Sequence, residues 1–426
     1  MKNCLLVSML LLMQGVSAQG QNEPIVNQPS FGFSLPRVEG TLSYAISGSE
    51  AAMTGFGTSG VAYMTSLSGD LAYLSSSVSD PFSLVYSGGY MYFDEPGYPS
   101  NTTFQNLAAS QVVTTKNWIF TVEDGFSYLP DSPTMGLSGI PGLGDISVTP
   151  VQNGLEPTRS IFSNYATQVG NGLTGQVTRT ISGNLSMVGS GSWQILDFTS
   201  GENINSTEEM GTLGPLYRIN ANSSVSADVI YTYTTDSIQG LVLPFTTEAI
   251  SVQYQRQVTP LLSFTVAGGP QRTYATGPAE ALFPAQISMV GSAGLVYQRK
   301  MTSASLFFAR GTNAGSGMVF GAMTDSVTGT LTRQFNREWQ GALTGSWAKS
   351  TALAQVEGYS LDYDSTAAGA QISRSLGKDW SAYFSYSAVD QTSTGQGVGQ
   401  AAFSGLEQTY AVGVTYSPAA HHFGQQ

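Results

Sequence analysis

The sequence predicts an all-β fold: a closed, antiparallel, up-and-down transmembrane β-barrel of about 18 strands, within a range of about 16–20. Three observations predict it. Apolar and small polar residues alternate with period two in segment after segment. The connections between segments alternate between tight and long. The composition is poor in charge and rich in glycine and aromatics: charged residues are 10% of the chain, with 49 glycines, 21 tyrosines and 20 phenylalanines, where ordinary globular domains carry roughly 25% charge. Aromatic alternation with small polar partners suits a wall with lipid outside and water inside.

The chain opens on a targeting pattern. Lys2 gives a positive start, Leu5 to Met13 an apolar core, and Val16-Ser17-Ala18 a small-residue cleavage site, so residues 1–18 are expected to be removed. The apolar run is too short for a membrane helix. Cys4, the one cysteine, falls before that core, so no disulfide, thiolate metal site or thiol nucleophile is expected in the mature chain. Residues 19–39 read as a short periplasmic lead, 40–417 as the barrel, and 418–426 as a C-terminal tail.

The strands follow from their alternation. Val225, Ala227, Val229, Tyr231 and Tyr233 share one face, while Ser226, Asp228, Thr232 and Thr234 share the other. Leu262, Phe264 and Val266 oppose Ser263, Thr265 and Ala267. Trp339, Leu343 and Trp347 oppose Gln340, Thr344 and Ser346, and Trp380, Ala382, Phe384 and Tyr386 oppose Ser381, Tyr383 and Ser385. A soluble sandwich also alternates, but its wet face would carry more lysine and glutamate.

Tight connections are expected near Val78–Asp80, Thr115–Asn117, Ser182–Gly183, Ala221–Asn222, Val258–Pro260, Lys300–Met301, Asn336–Arg337 and Gly377–Lys378. Longer ones are expected near 94–101, 129–159, 199–205, 236–243, 276–282, 313–317, 351–356 and 393–404. Short turns on one side and long loops on the other are the arrangement of outer-membrane barrels. Arg179, Arg218, Arg256, Arg299, Arg333 and Arg374 each precede a tight turn at a spacing of roughly 40 residues, one strand–turn–strand–loop unit. Arg179, Arg256, Arg299, Arg333 and Arg374 are also in phase with the apolar face. They are therefore expected to ring the periplasmic rim and meet lipid phosphates, since an outward arginine is costly at the bilayer midplane and nearly free at the interface.

The last strand, Tyr410, Val412, Val414, Tyr416, ends on an aromatic and resembles the C-terminal signal by which outer-membrane barrels are recognised for assembly, here followed by a tail from Ser417. That resemblance implies the barrel-assembly machinery as a partner and the outer membrane of a Gram-negative bacterium as the location. The chain as a whole resembles the porins without matching a particular family of them. The longest connection, 129–159, is apolar for a loop, with Leu129, Met135, Leu137, Ile140, Leu143 and Ile146. Within it, Pro141-Gly142-Leu143-Gly144-Asp145 resembles the Pro/Gly/acid turn of the loop that follows the fifth strand of general diffusion porins, folds into the barrel and narrows it. The resemblance implies Asp131, Asp145 and Glu156 as constriction residues facing Arg159. The residues themselves leave open an Ω-loop packed on the outer mouth or against a neighbouring protomer.

Little in the chain suggests catalysis. The two histidines, His421 and His422, both lie in the tail, so no histidine is placed to serve a serine or aspartate inside the barrel. The acidic pairs Asp94-Glu95, Glu123-Asp124, Glu208-Glu209 and Asp362/Asp364 show no calcium-loop spacing and read as a hydrated loop-side rim facing lipopolysaccharide. No enzyme activity, metal or cofactor is expected, and a net charge of −12 without a basic stripe excludes nucleic acid. The inward residues read as Ser, Thr, Gln, Ala and Gly, with Asp70 and Asp228 as rare lumen charges. A passive channel for small neutral solutes or glycans is the first functional reading. The second is a non-enzymatic accessory barrel of an exopolysaccharide export system, with export components as partners. Homo-oligomerisation is compatible with both.

Overall fold

The computed structural model describes residues 40–55, 60–75, 77, 80–94, 101–130, 161, 167–199, 203–314, 317–354, 362–394 and 404–423. They form one sheet closed on itself. Eighteen long strands follow one another in chain order, each pairing antiparallel with the next, and β1 (Gly40–Thr54) pairs with both β2 (Val61–Ser75) and β18 (Gly405–Tyr416). Closure removes every free strand edge, which is what permits a sheet to sit in hydrocarbon.

The intervening strands are β3 (Phe82–Asp94), β4 (Asn101–Thr114), β5 (Trp118–Pro130), β6 (Thr167–Thr180), β7 (Leu185–Phe198), β8 (Asn205–Asn220), β9 (Ser223–Ile238), β10 (Leu241–Thr259) and β11 (Leu262–Tyr274). They continue with β12 (Gln286–Arg299), β13 (Thr302–Asn313), β14 (Ala322–Gln334), β15 (Trp339–Ala352), β16 (Asp362–Ser375) and β17 (Trp380–Thr394). A nineteenth strand, β19 (His421–Phe423), pairs with the start of β1, His421 opposite Leu42 and Phe423 opposite Gly40. Part of the tail thus continues the closing seam beyond Tyr416.

Period two sets the two faces. Outward residues such as Leu67, Leu213, Val229, Ile250, Leu343 and Val412 are exposed, whereas the residues alternating with them are largely covered. The exposed set forms an apolar belt around the barrel. A soluble monomer does not expose apolar surface on that scale, and on a closed up-and-down barrel it is the lipid-facing band of an outer-membrane protein. The inner face carries serines and threonines that link strands across the ladder, as in Ser47–Thr415, Ser49–Ser66, Ser190–Thr212 and Ser305–Thr330 at 2.6–2.9 Å.

Tight connections occupy one end, at seven of the eight expected places; the remaining one, Val78–Asp80, lies partly outside the described residues. One expectation fails at the other end. Residues 236–243 are not a long loop: β9 and β10 join through a two-residue turn, Gln239 and Gly240, with φ of 48° and 85°. Left-handed conformation at both central residues defines the type I′ hairpin, whose twist matches its strands.

Candidate functional site

The lumen is the candidate site, and its wall is not neutral. Asp70 on β2, Glu123 on β5, Glu208 on β8, Asp228 and Asp236 on β9, and Glu407 on β18 all lie on the inward phase of their strands. Among the described residues of the strands, the one inward cation is Arg218, two residues from the tight-turn end of β8. Asp70 and Asp228 stand where the alternation places them. Glu123 and Glu208 do not belong to a loop-side rim, because Glu123-Asp124 lies within β5 and Glu208-Glu209 within β8. Neighbours in a strand face opposite ways, so each pair sends one carboxylate into the lumen and the other outward. Asp70, Glu123 and Asp228 are each five residues in from the tight-turn end of their strand. They therefore form an arc at a common level along the wall from β2 to β9.

The long-loop mouth is partly filled by the chain itself. Residues 317–321, in the connection from β13 to β14, fold inward and bridge walls that are far apart in the sheet. Met318 and Val319 pack with Ile161, Ala322 and Tyr363, the last on β16. Phe320 joins Phe245 and Leu243 on β10, Ile238 on β9, and Ile204, Ala275, Ala279, Phe283, Leu353 and Ala354. Phe283 follows a 3-10 turn, Gly277–Ala281, and stacks on Phe245 with ring centroids 5.2 Å apart.

Polar contacts hold the same segment. The Gly321 amide donates to Asp236 Oδ2 at 2.8 Å, Ile204 N–H donates to the Gly317 carbonyl at 2.9 Å, and Leu353 N–H donates to the Gly321 carbonyl at 3.0 Å. Gly317 and Gly321 have φ of +78° and +59°. A Cβ at Gly317 would lie 2.3 Å from the Phe198 ring, and one at Gly321 would lie 3.0 Å from the Phe245 ring and 3.1 Å from Leu353. Glycine is required at both places for conformation and for space.

Outside, the five in-phase arginines all lie on the lipid side, within three residues of the tight-turn end of their strands. Arg179 sits over the Trp118 ring at 5.0 Å, Arg374 over Trp339 at 5.3 Å and Arg333 over Phe335 at 6.0 Å. Arg374 also reaches Glu338 at 3.4 Å. Nearer the loops, an alternating ladder runs in register across four strands: Arg310, Asp325, Lys349 and Asp364. Arg310 meets Asp325 at 2.9 Å, and Trp347 Nε1 donates to Asp364 at 3.0 Å. Asp124 faces lipid near the middle of β5, its carboxylate accepting from Asn171 Nδ2 at 3.4 Å.

Asp131, Asp145, Glu156 and Arg159, the constriction residues implied by the porin resemblance, lie outside the described residues, as do residues 1–39. No group of three or more metal-ligating side chains occurs among the described residues. No helix is long and apolar enough to cross a membrane, which does not bear on a strand-built wall.

No protein-family model and no curated protein matches the chain. Solved structures resemble it at low identity. OccK2 (OpdF) of Pseudomonas aeruginosa is 12% identical, with 88% of this chain and 98% of that one covered at a TM-score of 0.43. OpdK of the same organism, solved with vanillate, is 9% identical over 90% and 99% at 0.42. OccAB2 of Acinetobacter baumannii is 9% identical over 89% and 97% at 0.43. The barrel assignment stands on the strand ladder and the apolar belt.

Proposed function

We propose that the protein is a passive diffusion channel of the outer membrane that admits small uncharged and cationic solutes and disfavours anions. The observation that carries this reading is the charge of the inner wall: among the described residues of the strands, six inward carboxylates stand against one arginine near the tight-turn end. Barrels of 16–18 strands are wide enough for an aqueous path, and acidic rings in such a path favour cations. In a confined channel an ion passes the wall carboxylates at distances shorter than the ~8 Å Debye length of physiological salt, so salt screens them little. Solute size is set at the mouth, where 317–321 spans from the β9–β10 wall to Tyr363 and narrows the entrance.

Reconstitution of the refolded chain in a planar bilayer under a salt gradient tests the proposal. Discrete conductance steps with a reversal potential of cation sign support it. Absence of steps favours the accessory-barrel reading, which glycosyltransferase and export genes beside the coding sequence would support independently. An anion-sign potential contradicts the charge argument.

A further inference from the structure

Beneath the inward segment 317–321 lie two carboxylates that have no cationic partner among the described residues. Asp236 is fully buried, at 0% exposure. Its Oδ2 accepts the Gly321 amide, while Oδ1 has no hydrogen-bond partner among the described residues. Glu208 is on the adjacent strand and the same inner face: it stands opposite Thr234 in the register, and Asp236 stands opposite Ser206. The two acids are therefore diagonal neighbours, about 7–8 Å apart between backbones, close enough to repel one another. Among the described residues neither forms an ion pair. Two adjacent carboxylates, one of them sealed from water with a bare oxygen, are not left uncompensated in a stable fold.

We propose that Asp236 and Glu208 bind a calcium ion that pins segment 317–321 across the mouth. Calcium takes oxygen ligands in irregular sets, mixing carboxylates with hydroxyls, carbonyls and water. Asp236 Oδ1 and the Glu208 carboxylate supply the charge, and Ser206 and Thr234, directly opposite them in the ladder, are the neighbouring hydroxyls. Because Asp236 also holds the Gly321 amide, the ion fixes the residue on which the segment is anchored. Its removal leaves two repelling charges at that anchor. The inference deepens the channel reading, since it makes the width of the mouth depend on the divalent ion.

The test uses the refolded full chain in detergent, with calcium alone as titrant and terbium luminescence as a second probe. Wild type is expected to show one saturable site. Asp236→Asn and Glu208→Gln should each weaken it at least tenfold, while Glu407→Gln, an inward acid on a different wall, should leave it intact. Heat-modifiable gel migration confirms that each variant is a closed barrel. Equal binding in all variants, or no saturable binding in wild type, overturns the site and leaves the pair charge-compensated by protons. In bilayers, chelation should raise the conductance of wild type and not of the Asp236→Asn/Glu208→Gln variant. A channel that fails to conduct while still binding calcium refutes the channel reading and not the site. A conducting channel without the site does the reverse.

Discussion

The Gly321 amide, in the connection from β13 to β14, donates to the Asp236 carboxylate on β9 at 2.8 Å, across 85 residues of chain and between parts of the sheet that are not neighbours. This contact ties the β13–β14 connection to the inner wall at β9. It explains why a glycine with φ of +59° stands against the Phe245 ring: the segment must turn sharply to present its amide to a buried acid.

Asp236→Ala and Gly321→Ala should both undock the segment. The first leaves the amide without a charged acceptor, a loss of about 1.5–3 kcal/mol. The second forces alanine into left-handed backbone at a cost of about 1–2 kcal/mol, besides the contact at 3.0 Å. Single-channel recording should show larger conductance or frequent stepping to a larger level, with normal heat-modifiable migration. A conductance equal to wild type in both variants removes the segment as a constriction.

Lipid contact by the rim arginines is expected to matter for insertion and not for permeation. Arg256→Glu combined with Arg374→Glu should slow assembly into vesicles containing anionic phospholipid, while the protein that does insert keeps wild-type conductance. Each reversal near an interface costs only about 0–1 kcal/mol, so single changes should have small effects. Altered ion selectivity with normal insertion would place these side chains in the pore.

Much of this was legible in the sequence because one rule, the alternation of faces, governs nearly every residue of a barrel. It brackets the turns and assigns Asp70, Asp228 and the five arginines each to one face of a strand. The charge of Glu123-Asp124 and Glu208-Glu209 suggests loops and masks the rule, although adjacent residues of a strand must diverge. Gln239-Gly240 has the residue types of a two-residue hairpin, but the polar and Pro-containing residues around it give the stretch the composition of a loop. The inward segment is hard to read locally for another reason. Gly315, Ser316 and Gly317 look like a linker, and only the apolar run Met318-Val319-Phe320 before Gly321 signals packing. Which wall it meets depends on closure of the sheet, a property no local pattern contains.

Asp124 offers a test of the wall itself. Its carboxylate faces outward near the middle of β5, beside Asn171. Replacement by leucine should stabilise the barrel in lipid by about 1 kcal/mol, because a charge there is removed from hydrocarbon. Urea unfolding in large vesicles checks the sign. A loss of stability would show that the contact with Asn171 outweighs the solvation cost.

Deletion of residues 134–147 addresses the porin-like loop. Conductance should rise and cation preference weaken, with the ladder unaffected, since strand pairing is complete without the loop. An unchanged conductance would place that segment outside the permeation path.

A water-filled path whose wall selects cations fixes the sign of the reversal potential of the refolded chain under a salt gradient, measured beside an Asp70→Asn/Glu123→Gln/Asp228→Asn variant. Wild type should show open, discrete conductance steps with cation preference, reduced several-fold in the variant because the arc of wall carboxylates has lost its charge. A wild-type potential of anion sign, or a selectivity that the triple substitution leaves unchanged, would contradict it.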